Sequence, residues 1–163
     1  MSLPSRPLYL LLALVIFLLD QASKALVART LAVGELRRVI PGFFNLTHTR
    51  NPGAAFGLLS NSDSPWTVAF LILVSVAALA LVWSLLWRGP ARLAGLGLGL
   101  ILGGALGNLF DRLQAGSVVD FLDFHVGGYH WPAFNLADSA IVVGAAALLA
   151  EVLRSRRSAP SEG

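Results

Sequence analysis

Hydrophobic residues form four long runs along the chain, and each run is long enough to cross a lipid bilayer. At ~1.5 Å per residue, a helix of about twenty residues covers the ~30 Å hydrocarbon core of a membrane. The charges inside the runs are few, namely Asp20, Lys24, Asp138 and Glu151. We therefore predict four transmembrane helices, at about 8–28, 66–87, 93–110 and 134–153.

Short alternating segments between the runs predict β-structure. The segment FFNLTHT alternates like a strand, and VVDFLDF, followed by two glycines and YHW, predicts a β-hairpin. Strand alternation places Asp120 and Asp123 on opposite faces of that hairpin. Since Pro132 follows, we expect Asn135 or a neighbour to lie at the N-terminus of the fourth helix.

The composition supports a membrane protein. Of the 163 residues, 56% are hydrophobic and 13% are charged, and the mean hydropathy is +0.72. The chain has no cysteine and therefore no disulfide, thiolate nucleophile or cysteine metal ligand. An isoelectric point near 10.2 is compatible with nucleic-acid binding. However, the basic residues are scattered or flank the apolar runs, where cations orient a chain in the membrane. We therefore expect membrane lipids, and no nucleic acid, as partners.

Arginines beside the apolar runs predict the orientation of the chain. Short loops rich in Lys and Arg stay in the cytoplasm, and such residues surround the second loop and the tail: Arg88, Arg92, Arg154, Arg156 and Arg157. Other arginines count against this orientation, because they lie in the first loop: Arg29, Arg37, Arg38 and Arg50. That loop is long and predicted to be folded, so the short loop carries more weight. We expect both termini in the cytoplasm.

A single membrane-embedded domain over residues 1–163 is the expected organisation. It has outer loops at about 29–65 and 111–133 and a cytoplasmic tail at 154–163. A cleavable signal peptide with Arg6 in its basic region is an alternative for the first run. No small-x-small cleavage site follows that run cleanly, and Asp20 lies where cleavage requires small neutral residues.

Glycines in the third run recur every four residues, at Gly95, Gly99, Gly103 and Gly107. They do not form a nucleotide-binding loop, because no strand precedes them. Small residues at this spacing allow another helix to approach closely. Ala140 and Gly144 offer a shorter surface of the same kind on the fourth helix.

Polar residues in three of the predicted helices lie at similar depths. Asp20 lies roughly 18 Å from the cytoplasmic end of the first helix, and Asn108 roughly 22 Å up the third. Asp138 lies about 6 Å below the outer end of the fourth helix, and Asp111 and Arg112 follow the third run at its outer mouth. A charge inside a bilayer costs ~2.5–3.5 kcal/mol, so these groups require partners or a function.

This distribution favours an enzyme over a transporter or a scaffold. A transporter needs polar groups along the whole path, and the inner halves of the runs are almost purely apolar. A scaffold can use Asp20 and Lys24 as an i, i+4 pair, but it has less reason to bring Asp120 and Asp138 together. An enzyme that acts on a substrate in the outer leaflet explains the whole set.

Two carboxylates are the most suitable catalytic groups. No serine lies in a recognisable nucleophile motif, and the histidines lack metalloprotease spacing. A pair that shares one proton can activate water with its ionised member and donate a proton from the other. A metal site through His125, His130 and an aspartate is an alternative, as is a purely structural role in which Asp138 caps a helix and Asp120 stabilises a turn.

Five sequence blocks resemble the bacterial lipoprotein signal peptidase family, signal peptidase II. The blocks are DQASK at 20–24, NPGAAF at 51–56, GNLFDR at 107–112, GSVVDF at 116–121 and FNLAD at 134–138. The resemblance implies an aspartyl endopeptidase of the bacterial cytoplasmic (inner) membrane. It implies removal of the signal peptide from diacylglyceryl-modified prolipoproteins, by cutting before the lipid-modified cysteine at the outer leaflet.

By motif match, the resemblance assigns Asp120 and Asp138 as the catalytic pair. It also places a set of polar residues and one glycine around them: Asp20, Lys24, Asn51, Gly53, Asn108, Asp111, Arg112 and Asn135. Asp123 lies outside the matched blocks and is expected on a solvated face of the hairpin. We expect a monomer with no metal and no cofactor. A non-catalytic four-helix scaffold or binding protein is the alternative function.

An apolar groove between helices is expected to hold the diacylglyceryl chains. The candidates for a mobile cover over it are Phe56, Leu58 and Leu59. A loop packed on the core is the alternative for this segment.

Overall fold

The computed structural model describes residues 6–53 and 65–157, and the candidate cover residues Phe56, Leu58 and Leu59 lie outside this part of the chain. The described elements are α1 (Arg6–Thr30), β1 (Leu36–Ile40), β2 (Phe44–Asn51), α2 (Pro65–Trp87), α3 (Arg92–Ala115), β3 (Val118–Val126), β4 (Tyr129–His130) and α4 (Leu136–Arg157). All four helices are long and apolar enough to cross a membrane, with mean hydropathies of 1.8 to 2.7. The chain is therefore a mainly helical membrane protein with a small sheet, as predicted.

Helix α3 lies at the centre of the bundle and packs against the other three helices. Helix α1 runs parallel to α3, since Tyr9 meets Gly95 near their starts and Asp20 meets Gly107 further along. Helix α4 runs antiparallel to α3. Helix α2 is the most apolar, with a mean hydropathy of 2.7, and the least buried within the protein. Its surface is therefore suited to contact with lipid.

The glycine stripe of α3 forms the contact with α1, which confirms the predicted close approach. A Cβ added at Gly103 would lie 2.5 Å from the carbonyl oxygen of Ala13 in α1. Glycines outside the stripe form a second close contact, with α4. A Cβ at Gly97 would lie 2.7 Å from the carbonyl oxygen of Gly144. Glycine is thus required on two sides of the same helix.

The four strands form one antiparallel sheet in the order β1-β2-β3-β4. In the β2–β3 register, Asn45 pairs with Asp123 and Thr49 pairs with Asp120, with an irregularity between Leu46 and Thr49. The predicted strands β2 and β3 are present. Strand β1 was not predicted, because it is an edge strand with every residue exposed and has no apolar face that sequence alternation can reveal.

Helix α3 continues beyond the predicted run at 93–110 and ends at Ala115. Asp111 and Arg112 end the apolar run but remain helical, and both are buried. Gly116 caps the helix end: its φ of 66° is left-handed, and its N–H donates to the Arg112 carbonyl. The two charged side chains are therefore buried in the protein, about one turn before the end of α3.

A hydrophobic cluster joins the sheet to the end of α1. Val27 and Leu31 of α1 pack against Phe121 of β3, and Leu136 at the start of α4 contacts the same cluster. This packing fixes β3 beside the N-terminus of α4. It thereby brings the two sequence blocks that contain Asp120 and Asp138 together.

Candidate active site

Asp138 lies in the first turn of α4 and forms a reciprocal cap with Asn135. The Asp138 N–H donates to Oδ1 of Asn135 at 3.0 Å, and the Asn135 N–H donates to Oδ2 of Asp138 at 3.2 Å. This is a capping box, which satisfies N–H groups at a helix N-terminus. The other carboxylate oxygen, Oδ1, accepts a 2.8 Å bond from Nδ2 of Asn108. Asp138 therefore caps its helix and also faces α3.

Asp120 is 3% exposed and receives a side-chain amide at each oxygen. Asn51 donates to Oδ2 at 2.9 Å, and Asn135 donates to Oδ1 at 2.8 Å. Burial raises the pKa of Asp120 to about 6, with a smaller contribution from the charge of Asp138, and the amide donors only partly oppose this rise. The carboxyl group of Asp120 therefore keeps its proton to a higher pH than an ordinary aspartate does.

Asn135 connects the two aspartates. Its Oδ1 accepts from the Asp138 N–H, so its Nδ2 must face Asp120. Both carboxyl groups line one cavity of about 310 Å³. The remaining lining residues are Trp131, Pro132, Ala133, Phe134, Ser139, Val142 and Val143. The cavity is therefore apolar apart from the two acids and one serine.

Lys24 holds Asn108 in the orientation that serves Asp138. The ammonium Nζ lies 2.8 Å from Asp20, 2.7 Å from Asp111 and 3.0 Å from Oδ1 of Asn108. Because an ammonium group only donates, Oδ1 of Asn108 must face it, and Nδ2 is left to donate to Asp138. Lys24 thus uses its three donors inside the protein and acts by positioning its neighbours.

Asp20 and Gln21 extend this network to the bundle. Asp20 is fully buried, and its Oδ1 accepts a 3.0 Å bond from the N–H of Ala137 at the start of α4. Gln21 was not among the predicted site residues. Its Nε2 donates to Oδ1 of Asp111 at 2.9 Å and to the Gly107 carbonyl at 3.3 Å. The sequence feature that could have identified Gln21 is its position next to Asp20 in an otherwise apolar run.

Arg112 ties the end of β2 to α3. Its Nη2 donates to the Gly53 carbonyl at 2.8 Å, and its Nη1 donates to the Asn108 carbonyl at 3.4 Å. The Gly53 N–H in turn donates to Oδ1 of Asn51 at 2.9 Å, which directs the Asn51 amide towards Asp120. The structure therefore brings all the predicted site residues into one hydrogen-bonded cluster.

The expectation that Asp123 lies on a solvated face is wrong. Asp123 is 5% exposed, and it accepts 2.7 Å bonds from Asn45 and from Nδ1 of His130. Burial raises the pKa of Asp123, but the bonds from Asn45 and His130 outweigh it and hold the pKa below its ordinary value. Asp123 lies three residues from Asp120 along β3 and therefore on the opposite face of the strand. Its role is separate from the cavity.

The histidines beside Asp123 stack on each other. The rings of His125 and His130 lie 4.7 Å apart at an angle of 12°. Within residues 6–53 and 65–157, no group of three or more His, Cys, Asp or Glu side chains is arranged to hold a metal ion. The described residues thus do not form the alternative metal site.

Comparisons with known proteins agree with the geometry. A family model described as signal peptidase (SPase) II matches residues 12–154. A lipoprotein signal peptidase of Solibacter usitatus (strain Ellin6076) is 46% identical over 149 residues, which cover 90% of this chain and 91% of the relative. A lipoprotein signal peptidase of Burkholderia thailandensis is 51% identical over 148 residues, with coverage of 91% and 89%.

Two solved structures share the fold over almost their whole length. Both are described as bacterial membrane enzymes determined by the in meso method, at 2.3 Å and 1.9 Å resolution. The first has a TM-score of 0.84 and 30% identity, covering 96% of this chain and 94% of its own. The second has a TM-score of 0.78 and 32% identity, with coverage of 90% and 93%. Together with the matched family model, these similarities show that the chain belongs to the signal peptidase II family.

Proposed function

We propose that this chain is an aspartyl endopeptidase that removes signal peptides from diacylglyceryl-modified prolipoproteins. The family and the lipoprotein signal peptidase relatives support the substrate class and the peptidase activity. One observation carries the catalytic assignment: Asp120 and Asp138 line the same apolar cavity and are bridged by Asn135. A scaffold requires no such convergence of two acids on one cavity.

The two aspartates divide the work of hydrolysis. Asp138 accepts N–H donors at both oxygens and acts as the general base. Asp120, whose pKa is raised to about 6, acts in its protonated form and donates a hydrogen bond to the substrate carbonyl oxygen. Asp138 takes a proton from water as the water oxygen attacks the carbonyl carbon, and Asp120 protonates the carbonyl oxygen. The tetrahedral intermediate then collapses: one hydroxyl returns its proton to Asp120, the C–N bond breaks, and the amine of the lipid-modified cysteine leaves with a proton from Asp138.

The cavity supplies a place for apolar substrate atoms next to the acids. Phe134, Val142 and Val143 line it, and contact with them removes acyl or apolar side-chain surface from lipid and water at the reacting bond. Arg112 and Asn51 hold the end of β2 against the opposite side of Asp120. The scissile bond is thereby confined between the sheet and the start of α4.

The arginines support a placement in the cytoplasmic (inner) membrane with both termini inside. Arg88 and Arg92 flank the short connection between α2 and α3, and Arg154 and Arg156 lie in the last turns of α4. The sheet, Asp120 and Asp138 lie at the opposite ends of the helices. The active site then faces the outer leaflet, within one peptidase domain that acts as a monomer.

The test is cleavage of a prolipoprotein peptide by the purified protein. A diacylglyceryl-modified peptide should be cut before its modified cysteine, and the same peptide without the lipid should be cut poorly. Activity should survive strong metal chelation, because the mechanism uses carboxyl groups alone. Cleavage of neither peptide would favour a scaffold, and loss on chelation that a divalent metal restores would contradict the dyad mechanism.

A further inference from the structure

A second, polar cavity of about 190 Å³ lies on another side of the charged cluster. Its polar lining comprises Gln21, Lys24, Arg50, Asp111, Gln114 and Ser117, and it includes neither Asp120 nor Asp138. Ala25 and Ala28 complete the α1 wall, and their short side chains leave room above Lys24. The cavity is therefore distinct from the one that contains the dyad.

The position of this cavity along the helices corresponds to the lipid headgroup level. Ala28 lies in the last turn of α1, which ends at Thr30, and Gln114 lies in the last turn of α3, which ends at Ala115. Both helices are long enough to span a bilayer, so their ends at the sheet lie at the membrane surface. A ligand in the cavity would lie beside the headgroups of the surrounding lipids.

Arg50 determines the charge of the cavity. The ammonium of Lys24 lies 2.8 Å from Asp20 and 2.7 Å from Asp111. Asp20 is not part of the cavity lining, so within the lining Lys24 and Asp111 neutralise each other. Arg50 is exposed and lines the cavity, and its guanidinium group has no hydrogen bond or ion pair with the described residues 6–53 and 65–157. Among the charged groups that line the cavity, the guanidinium of Arg50 therefore has no carboxylate partner. The amide of Gln114 and the hydroxyl of Ser117 lie in the same lining.

We propose that this cavity binds a phosphate group, held by Arg50 and supported by Gln114 and Ser117. A guanidinium group matches phosphate with two parallel N–H donors, and a cation at the membrane surface attracts anionic lipids. The source of the phosphate is either the headgroup of a phospholipid at the sheet end of the helices or free phosphate. The site also gives a reason for the presence of Arg50 in an outer loop, where the positive-inside rule disfavours arginine.

Binding at Arg50 affects the dyad through the backbone of β2. Arg50 immediately precedes Asn51, whose amide donates to Asp120 at 2.9 Å. A phosphate held by Arg50 fixes this end of β2 between the lipid surface and the active site. The ligand is not the substrate, and binding at Arg50 can be measured without reference to the catalytic assignment.

The test is native mass spectrometry of the purified protein in neutral detergent. The probes are phosphatidylglycerol, a diacylglycerol with the same acyl chains, and inorganic phosphate. Phosphatidylglycerol should bind more tightly than diacylglycerol, and Arg50→Gln should weaken its binding about fivefold, the factor for one cation at an anionic lipid surface. Arg38→Gln is the matched control, since Arg38 is also exposed on the sheet but lies outside this cavity.

The probes distinguish the sources of the phosphate. An Arg50-dependent adduct with phosphatidylglycerol only supports a lipid headgroup site, and one with inorganic phosphate as well supports a site for phosphate itself. Arg50→Lys should retain part of the binding, because it keeps the charge but loses the paired donors. Binding that is equal for diacylglycerol and phosphatidylglycerol, or that falls equally in Arg38→Gln and Arg50→Gln, would overturn the proposal.

Discussion

Asn135 donates a 2.8 Å hydrogen bond from its side-chain amide to Asp120, although the two residues belong to different elements. The same asparagine caps α4, because its Oδ1 accepts from the Asp138 N–H, and its own N–H donates to Oδ2 of Asp138. The helix cap and the carboxylate pair are therefore one structure. A change in the orientation of Asn135 must alter Asp120 and Asp138 together.

Substitutions of Asn135 should separate its capping role from its role beside Asp120. Asn135→Ala removes both and should lower stability by about 1 kcal/mol from the lost cap while abolishing most activity. Asn135→Ser keeps a capping oxygen but loses the amide donor, so it should be nearly as inactive with a smaller loss of stability. Thermal unfolding and peptide cleavage measure the two effects. Full activity in Asn135→Ser would show that the donor is dispensable.

Replacement of either aspartate in the cavity should abolish cleavage in a folded protein. Asp120→Asn and Asp138→Asn are isosteric, and each should reduce the rate by several orders of magnitude. The double variant should be hardly worse than either, because members of one catalytic unit are strongly non-additive. Cleavage of a lipidated peptide measures all three variants.

Asp123→Asn is the matched control for these variants. Asp123 is a buried aspartate on the same strand as Asp120, but it lies on the opposite face, where it pairs with Asn45 and His130. The variant should retain most activity, even if its stability falls. An Asp123→Asn protein that folds but is as inactive as Asp120→Asn would contradict the assignment of the pair.

The raised pKa of Asp120 predicts the alkaline limb of the pH profile. Because Asp120 must carry a proton, kcat/KM should fall as pH rises through about 6, with an apparent value that belongs to the pair. Bound substrate excludes more water from the cavity and raises the pKa further. The limb in kcat should therefore lie at higher pH than the limb in kcat/KM. Limbs at the same pH would show that the substrate does not desolvate Asp120.

Stability provides an independent check on the same group. The folded pKa of Asp120 is raised from 3.8 to about 6, so the stability that its protonated form contributes is complete below 3.8 and is lost as pH rises through about 6. Asp120→Asn removes this dependence. The difference in Tm between the wild-type and variant proteins should therefore change across this pH range and stay constant above it.

Bulk at the α1–α3 contact should destabilise the bundle. A leucine at Gly103 must displace the Ala13 backbone, because even a Cβ would lie 2.5 Å from its carbonyl oxygen. Overpacking of this kind costs about 1–3 kcal/mol or prevents folding. Folded yield and Tm in detergent measure the effect. Ala145→Leu, at an exposed position of α4, is the control, and an equal loss in both variants would exclude a specific contact at Gly103.

The orientation of the chain can be tested with reporters. A reporter that works only in the cytoplasm should be active when it is fused after Gly163. A reporter that works only outside the cytoplasm should be active when it is inserted near Ser62. The physical reason is that Arg88 and Arg92 keep the short loop between α2 and α3 in the cytoplasm. The reverse pattern would place Asp120 and Asp138 at the inner leaflet, away from the proposed substrate.

Much of this molecule follows from its sequence alone. A bilayer core requires about twenty apolar residues per helix, so the four runs specify four helices without any knowledge of their contacts. The glycine spacing specifies a close helix contact, because residues four positions apart, such as Gly103 and the other glycines of the stripe, lie on one face of α3. The five ordered sequence blocks between residues 20 and 138 also identify the family. Each apolar run, the glycine stripe and each block is formed by residues that are near one another in the chain.

The tertiary structure decided which polar groups become partners. Asp20 accepts the N–H of Ala137, 117 positions away in sequence, and Gln21 reaches Asp111 across the α1–α3 contact. Asp123 is buried only because Asn45 and His130 converge on it from neighbouring strands. The sequence pattern shows that a side chain is polar and where it lies on its own element. Its burial, its hydrogen-bond donors and hence its pKa depend on elements that only folding places beside it.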